Sequence, residues 1–213
     1  MTLERELAAQ IGKWLVTLRT PALDPYLAAW PLPVASACKA ESPRPAQSCG
    51  RARKSAGVAA PLPVLRWIPD LLSGADMASM DIVASLCAAA PTLTWQQTYT
   101  VNELGSGFLD NYGWSEVFGV HGPLRSDRIA CGFLLLGPST QYPRHRHEAE
   151  EIYFPLSGTA AWLQGDEVWR ARPPVTAVYH SSGEIHAMRT GAQPLLALYL
   201  WRSANLVQKA QLV

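Results

Sequence analysis

The stretch Gly137-PSTQYPRHRHEAEEIYFPLS-Gly158 decides how this chain folds. His145, His147, Glu151 and Tyr153 share one residue parity, and because strand side chains alternate between faces, positions two apart point the same way. His145 and His147 therefore face one side of a strand. At about 3.3 Å per residue a straight strand would carry Glu151 roughly 20 Å from His145, too far for ligands that each sit about 2 Å from one ion. The chain is expected to turn back at Glu148–Glu150. Glu151 then opens the antiparallel neighbour, returns its carboxylate beside the two imidazoles, and sets Tyr153 one step deeper on the same inner face.

A fourth donor is expected from another part of the sheet. Ser181-Ser182-Gly183 reads as a tight turn that Gly183 permits, and Glu184-Ile185-His186 brings a histidine to the start of a new strand. Three of the five histidines thus converge with one carboxylate. Imidazole and carboxylate donors without thiolate suit Zn, Fe, Mn or Ni, and the spacing does not choose among them. The other two histidines, His121 and His180, are expected to satisfy local hydrogen bonds.

Outward from this segment the chain divides near residue 92. Leu3, Leu7, Ile11, Leu15 and Leu18 recur at steps of three and four, an amphipathic helix that Pro21 stops. A shorter helix is expected over Pro25–Trp30, a long loop over Pro31–Pro61, and further helices over Leu62–Leu72 and Asp76–Ala89. Residues 1–91 thus form a helical N-terminal segment packing on a barrel of residues 92–213. Beyond Thr92, runs rich in β-branched and aromatic residues predict strands at Leu93–Val101, Ser115–Val120, Arg128–Leu136, Glu151–Leu156, Thr159–Leu163, Val175–Tyr179 and Leu195–Trp201. The expected class is mainly β, a barrel with helices packed against it.

Composition narrows the partner. With 18 basic and 17 acidic side chains the chain generates no long-range field for nucleic acid or an anionic membrane, which favours a small molecule. No apolar run approaches the roughly 20 residues of a membrane span. The acidic start MTLERELAAQIGKWL does not read as a secretion signal, and Cys38, Cys49, Cys87 and Cys131 are scattered without a CxxC pair. A reducing, cytoplasmic setting is the expectation, with one bridge between Cys38 and Cys49 left open.

The run HxHx3Ex6G from His145 to Gly158 resembles the first cupin motif, and Gly183-x-x-His186 resembles the second. Two details depart from the pattern: the leading Gly lies two residues further from the first His than usual, and Ser181 stands where a Pro is common. Neither touches the ligands. The resemblance implies a cupin double-stranded β-helix, or jelly-roll, barrel. More narrowly, HxHxxxEIYxxLSG with Tyr142 five residues before the second His, His186 downstream and Trp201 fifteen residues after it is similar to the metal-dependent dimethylsulfoniopropionate (DMSP) lyases over roughly residues 111–202. That family splits DMSP into dimethyl sulfide and acrylate by β-elimination. By position, Tyr153 and Tyr142 match its active-site tyrosines, and Trp201 matches a pocket tryptophan.

The residues make sense of such chemistry. A divalent ion held by His145, His147, Glu151 and His186 keeps a local charge of about +1, able to hold a substrate carboxylate and acidify the neighbouring C–H. Tyrosine ionises near pH 10, and a nearby cation lowers that value, which makes Tyr153 the expected base. Tyr199 and Trp201 share one strand face and offer aromatic surface to a sulfonium, with Phe133 and Trp162 as further candidates for that wall. The expected partners are a small sulfonium molecule, no nucleic acid and no membrane, with a homodimer as the candidate assembly. A dioxygenase, an isomerase or a small-molecule-binding cupin would use the same ligands with a different pocket.

Overall fold

The computed structural model describes residues 2–18, 20–33, 61–165 and 168–213. Most of the expected 31–61 loop, together with Cys38 and Cys49, lies outside the described residues. The helices are α1 (Leu3–Leu18), α2 (Asp24–Ala28), α3 (Met80–Ala89) and α4 (Val101–Leu109). The strands are β1 (Trp95–Gln96), β2 (Tyr112–Gly119), β3 (Leu124–Arg125), β4 (Ile129–Leu136), β5 (Gln141–Arg146), β6 (Glu150–Ser157), β7 (Ala160–Gln164), β8 (Arg170–Arg172), β9 (Val178–His180), β10 (His186–Thr190), β11 (Leu195–Arg202) and β12 (Gln211–Leu212).

Two sheets face each other. One runs β1-β2-β4-β11-β6-β9, with β3 added parallel to β2, and the other runs β12-β5-β10-β7-β8. Every other pairing is antiparallel. This is the mainly β jelly-roll barrel expected from the motif, with its helices packed outside the larger sheet.

The larger sheet is buried on both faces, which explains why β4 reads as the unbroken apolar run IACGFLLL, with all eight residues buried. Its outward residues Ile129, Cys131, Phe133 and Leu135 join Leu7, Ile11 and Leu15 of α1 and Ile82, Val83 and Leu86 of α3 in one cluster. Edge-on aromatic contacts fix that layer: Trp14 meets Phe154 at 5.4 Å and Trp30 meets Phe118 at 4.6 Å. Each such buried Leu or Phe contributes roughly 1.5–3 kcal/mol over an exposed one. The inward residues form a second cluster rich in tyrosine and tryptophan, including Tyr112, Tyr142, Tyr153, Trp162 and Tyr199.

Five expectations are corrected. β6 does not pair with β5: it lies between β11 and β9 in the larger sheet, while β5 pairs with β10 and β12 in the smaller one. The chain crosses from one sheet to the other after Arg146, so Glu151 reaches the histidines across the barrel and not along a hairpin. The strand expected at Leu93–Val101 is only Trp95–Gln96, because Thr100 and Glu103 form a capping box, with Thr100 N–H donating to Glu103 Oε2 at 2.8 Å, that starts α4. Residues Pro63–Asp70 are a 3-10 helix, and α3 begins at Met80 instead of Asp76. Val175 has φ +64°, off the strand region, so β9 begins three residues later.

Gly158, the last residue of the first motif, sits at φ +75°, and an added Cβ there would lie 1.9 Å from the Pro194 carbonyl oxygen. Gly158→Ala combines left-handed strain with a backbone clash, so we expect a loss of about 2–4 kcal/mol, measured as a lower urea midpoint at unchanged slope.

Candidate metal centre and active site

Each histidine of the motif is fixed by a local bond to the backbone. His145 Nδ1 lies 2.8 Å from the Pro143 carbonyl, His147 Nδ1 2.9 Å from that of Ala149, and His186 Nδ1 2.9 Å from that of Glu184. A carbonyl only accepts, so Nδ1 carries the proton in all three rings and the Nε2 lone pairs remain for another partner. The turn that carries His186 is tied to the same place, since Gly183, at φ +75°, donates its N–H to the His147 carbonyl at 2.8 Å.

The ring donors of His145, His147 and His186 lie within 4.8 Å of one another, all buried. Glu151 is fully buried, and its Oε2 lies 3.0 Å from His147 Nε2 and 3.3 Å from His186 Nε2. With Nδ1 protonated, these are acceptors facing an acceptor. One proton can bridge only one of the two contacts, and His186 Nε2 is a buried nitrogen without a hydrogen-bond partner. Donors about 2.1 Å from a common ion stand roughly 3.0–3.4 Å apart at octahedral or tetrahedral angles, which matches both distances. The residues fit a divalent cation.

Electrostatics agree. Burial disfavours the Glu151 anion, but the neighbouring imidazoles, His147 first and then His186, outweigh it and hold the carboxyl well below its usual range. His147 is raised: burial opposes its charge, and Glu151 overcomes it. His145 is pushed well below the usual range by burial and by His186. The other Glu151 oxygen, Oε1, accepts the Trp201 indole N–H at 2.5 Å, and the Trp201 ring packs 4.4 Å from that of His147. Trp201 therefore orients a member of the donor set besides presenting a ring face.

Beside this set opens a cavity of about 220 Å³, whose wall includes Glu151, Tyr142, Tyr153, Tyr199 and Trp201. Sites for drug-sized ligands run to roughly 300–1,000 Å³, so this one suits a ligand of few non-hydrogen atoms. Tyr142 stacks on His145 at 4.0 Å and its hydroxyl meets that of Tyr99 at 3.1 Å. Tyr153 stands two residues from Glu151 on β6, and burial together with the Glu151 charge holds its phenol well above the ordinary range.

Not every expected wall residue is there. Phe133 faces the helices, because Ala130 and Leu134 take the inward parity of β4. Trp162 is inward but lies behind Tyr153, with ring centroids 5.1 Å apart, and stays off the cavity wall. His180 does not satisfy local bonds: it is buried, both ring nitrogens lack a partner, and it stacks on His186 at 4.0 Å. Burial, then His186, lowers it to about 3. The His121 ring lines the cavity beside Trp114.

Sequence reasoning missed Tyr112, Trp114 and Glu116, which also line the cavity. Their alternation on β2 is a usable signal; Tyr112 and Trp114 precede the expected start of that strand at Ser115, and Glu116 lies within it. The Leu206–Ala210 strap, another wall, carries no periodic pattern at all.

A jelly-roll barrel with three imidazoles and a carboxylate converging inside it is a cupin. Known proteins then place it more narrowly. The family model for DMSP lyase matches residues 46–197. The DMSP lyase DddQ of Ruegeria pomeroyi is 37% identical over 142 residues, 67% of this chain and 69% of the relative. The crystal structure of DddQ from Ruegeria pomeroyi DSS-3 superposes with a TM-score of 0.73 at 28% identity, covering 99% of this chain and 96% of that one. A chain from the crystal structures of the DMSP lyases RdDddP and RnDddQII gives 0.68 at 31% identity, with 73% and 80% covered. The chain belongs to the DMSP lyase family.

Two outcomes follow for the donor set. His147→Ala and Glu151→Ala should each lower metal affinity by at least about 100-fold, more than loss of an outer contact, read as metal content per chain after dialysis. Trp201→Phe keeps a ring against His147 but removes the N–H to Glu151, and should weaken metal binding by about tenfold in a chelator competition. Full metal retention in the first pair removes the proposed site, and in the third removes the indole's orienting role.

Proposed function

We propose that this chain cleaves DMSP to dimethyl sulfide and acrylate by β-elimination, with His145, His147, Glu151 and His186 holding one divalent ion and Tyr153 as the base. The reading rests above all on one juxtaposition: Tyr153, Glu151 and the aromatic rings of Tyr199 and Trp201 border one small cavity. When bound, the ion would anchor the substrate carboxylate and make the adjoining C–H more acidic.

The protein's residues supply the rest. Tyr153 accepts the proton from the carbon next to the carboxylate, the freed electron pair becomes the C=C bond of acrylate, and the C–S bond breaks. Dimethyl sulfide leaves as a neutral molecule, so no general acid is needed on the leaving-group side. Because its surroundings hold Tyr153 protonated, loss of that proton depends on positive charge at the donor set two residues away. Tyr142 acts by position: tethered to Tyr99 and stacked on His145, it braces a ligand and closes one wall. Tyr199 and Trp201 present ring faces to the sulfonium, as aromatic groups do to quaternary ammonium. Residues 1–91 serve as the wrapper of the barrel and residues 92–213 as its catalytic body.

Incubation with DMSP and headspace analysis for dimethyl sulfide tests the activity, and absence of release from metal-loaded protein rejects it. Tyr153→Phe should lower kcat by 10²–10⁴-fold, the usual contribution of a general base, at unchanged metal content. Tyr142→Phe should lose less than about tenfold, since the ring that braces His145 remains. A reversed ranking moves the base to Tyr142.

A further inference from the structure

We propose that Glu116 is the counter-charge for the substrate's cationic group, fixing which end of a zwitterion faces away from the metal ligands. This deepens the reading of the chain as a sulfonium lyase and rests on it.

The register puts Glu116 in a particular row. It pairs with Gly132 on β4, Gly132 pairs with Tyr199 on β11, and Tyr199 pairs with Tyr153 on β6. Four neighbouring strands thus carry one level of the barrel wall from the proposed base to a second carboxylate. Glu116, Tyr199 and Tyr153 all border the cavity, and Glu116 is 5% exposed. At Gly132 the absent side chain makes room for close neighbours: an added Cβ would lie 1.9 Å from the Ser115 carbonyl oxygen and 2.7 Å from the Tyr199 hydroxyl. The Tyr199 phenol passes over Gly132 towards β2, with its hydroxyl 3.4 Å from the Ser115 carbonyl.

Glu116 also has a structural duty. Its Oε1 accepts the backbone N–H groups of His121 at 2.5 Å and Gly122 at 2.6 Å, which clamps the turn after β2. Both bonds fall on one oxygen, and two backbone amides do not neutralise a carboxylate. Among the described residues Glu116 has no salt-bridge partner; His121 and Arg125 supply only weaker attraction, and burial raises its carboxyl above the usual value. A buried anion on the wall of a small aromatic cavity is relieved by a cation that enters it. A sulfonium satisfies that demand and a neutral group of equal shape does not.

The test uses two non-reacting ligands that share the carboxylate and chain length of the substrate: 3-(trimethylammonio)propionate, a fixed cation, and 4-methylpentanoate, in which a CH stands for the sulfur. Titration calorimetry on metal-loaded protein gives both dissociation constants, for wild type and for Glu116→Gln. The amide oxygen of glutamine still accepts from His121 and Gly122, so the variant removes charge and keeps the clamp. The expected result is that the cation's dissociation constant rises about tenfold or more, while the isostere's moves by less than about twofold. Equal weakening of both would mean that the turn had shifted, and no change in either would leave Glu116 as a clamp alone; each overturns the proposal. If wild type releases no dimethyl sulfide yet prefers the cation, and Glu116→Gln abolishes that preference, the counter-charge stands and the substrate reading falls.

Discussion

A carboxylate with no exposed surface is the constraint on which the rest of this molecule depends. Removing Glu151 from water is costly unless positive charge or strong donors replace the lost hydration. The barrel replaces it with one indole N–H on Oε1 and two imidazole nitrogens aimed at Oε2. The imidazoles cannot serve as neutral donors because their Nδ1 protons are already committed to backbone carbonyls. What looks like a cluster of clashing lone pairs therefore fits the proposed cation, and the turn at Gly183 is bonded to His147 so that the two histidine-bearing loops hold together.

The outer helices bear on this site through the sheet. β6 and β11, which carry Glu151 and Trp201, lie in the interior of the larger sheet, and their outward residues Ile152, Phe154, Leu198 and Leu200 pack into the helical layer. That layer leaves the inner face free to mix large rings with its aliphatic residues. Tyrosine and tryptophan share it with Leu134, Leu136, Val178 and Leu195, leaving space between rings where a leucine core would close up.

Much of this was legible in the sequence, and the failures have physical reasons. Parity placed Tyr199 with Trp201 on one face of β11 and Glu151 with Tyr153 on one face of β6, because side-chain alternation is local to a strand. The same parity is silent about which strands hydrogen-bond, so the return at Glu148–Glu150 was read as a hairpin when the chain changes sheets there. Phe133 was misplaced because β4 is apolar on both faces, and no alternation distinguishes cavity from core in such a strand. Trp162 has the inward parity, yet depth behind Tyr153 decides its role. Tyr99 lies beside the capping box of Thr100, the start of a helix that falls at the end of an expected strand.

The two carboxylates of the cavity are the most instructive contrast. Glu151 and Glu116 belong to the same sheet and are both buried, but their neighbours divide them. Glu151 is surrounded by nitrogens and held far into its ionised range; Glu116 is surrounded by backbone amides and ring faces, and burial raises it. A cavity with a cation site at one place and an unneutralised anion at another is polarised, and a zwitterion is the small molecule whose charges match both at once. Under the proposed mechanism such matching would orient a ligand before any bond changes, with the carbon to be deprotonated beside the carboxylate anchor, on the side of Tyr153. In this reading, selectivity for a charged leaving group comes from the β2 side of the cavity, while reactivity comes from the donor set.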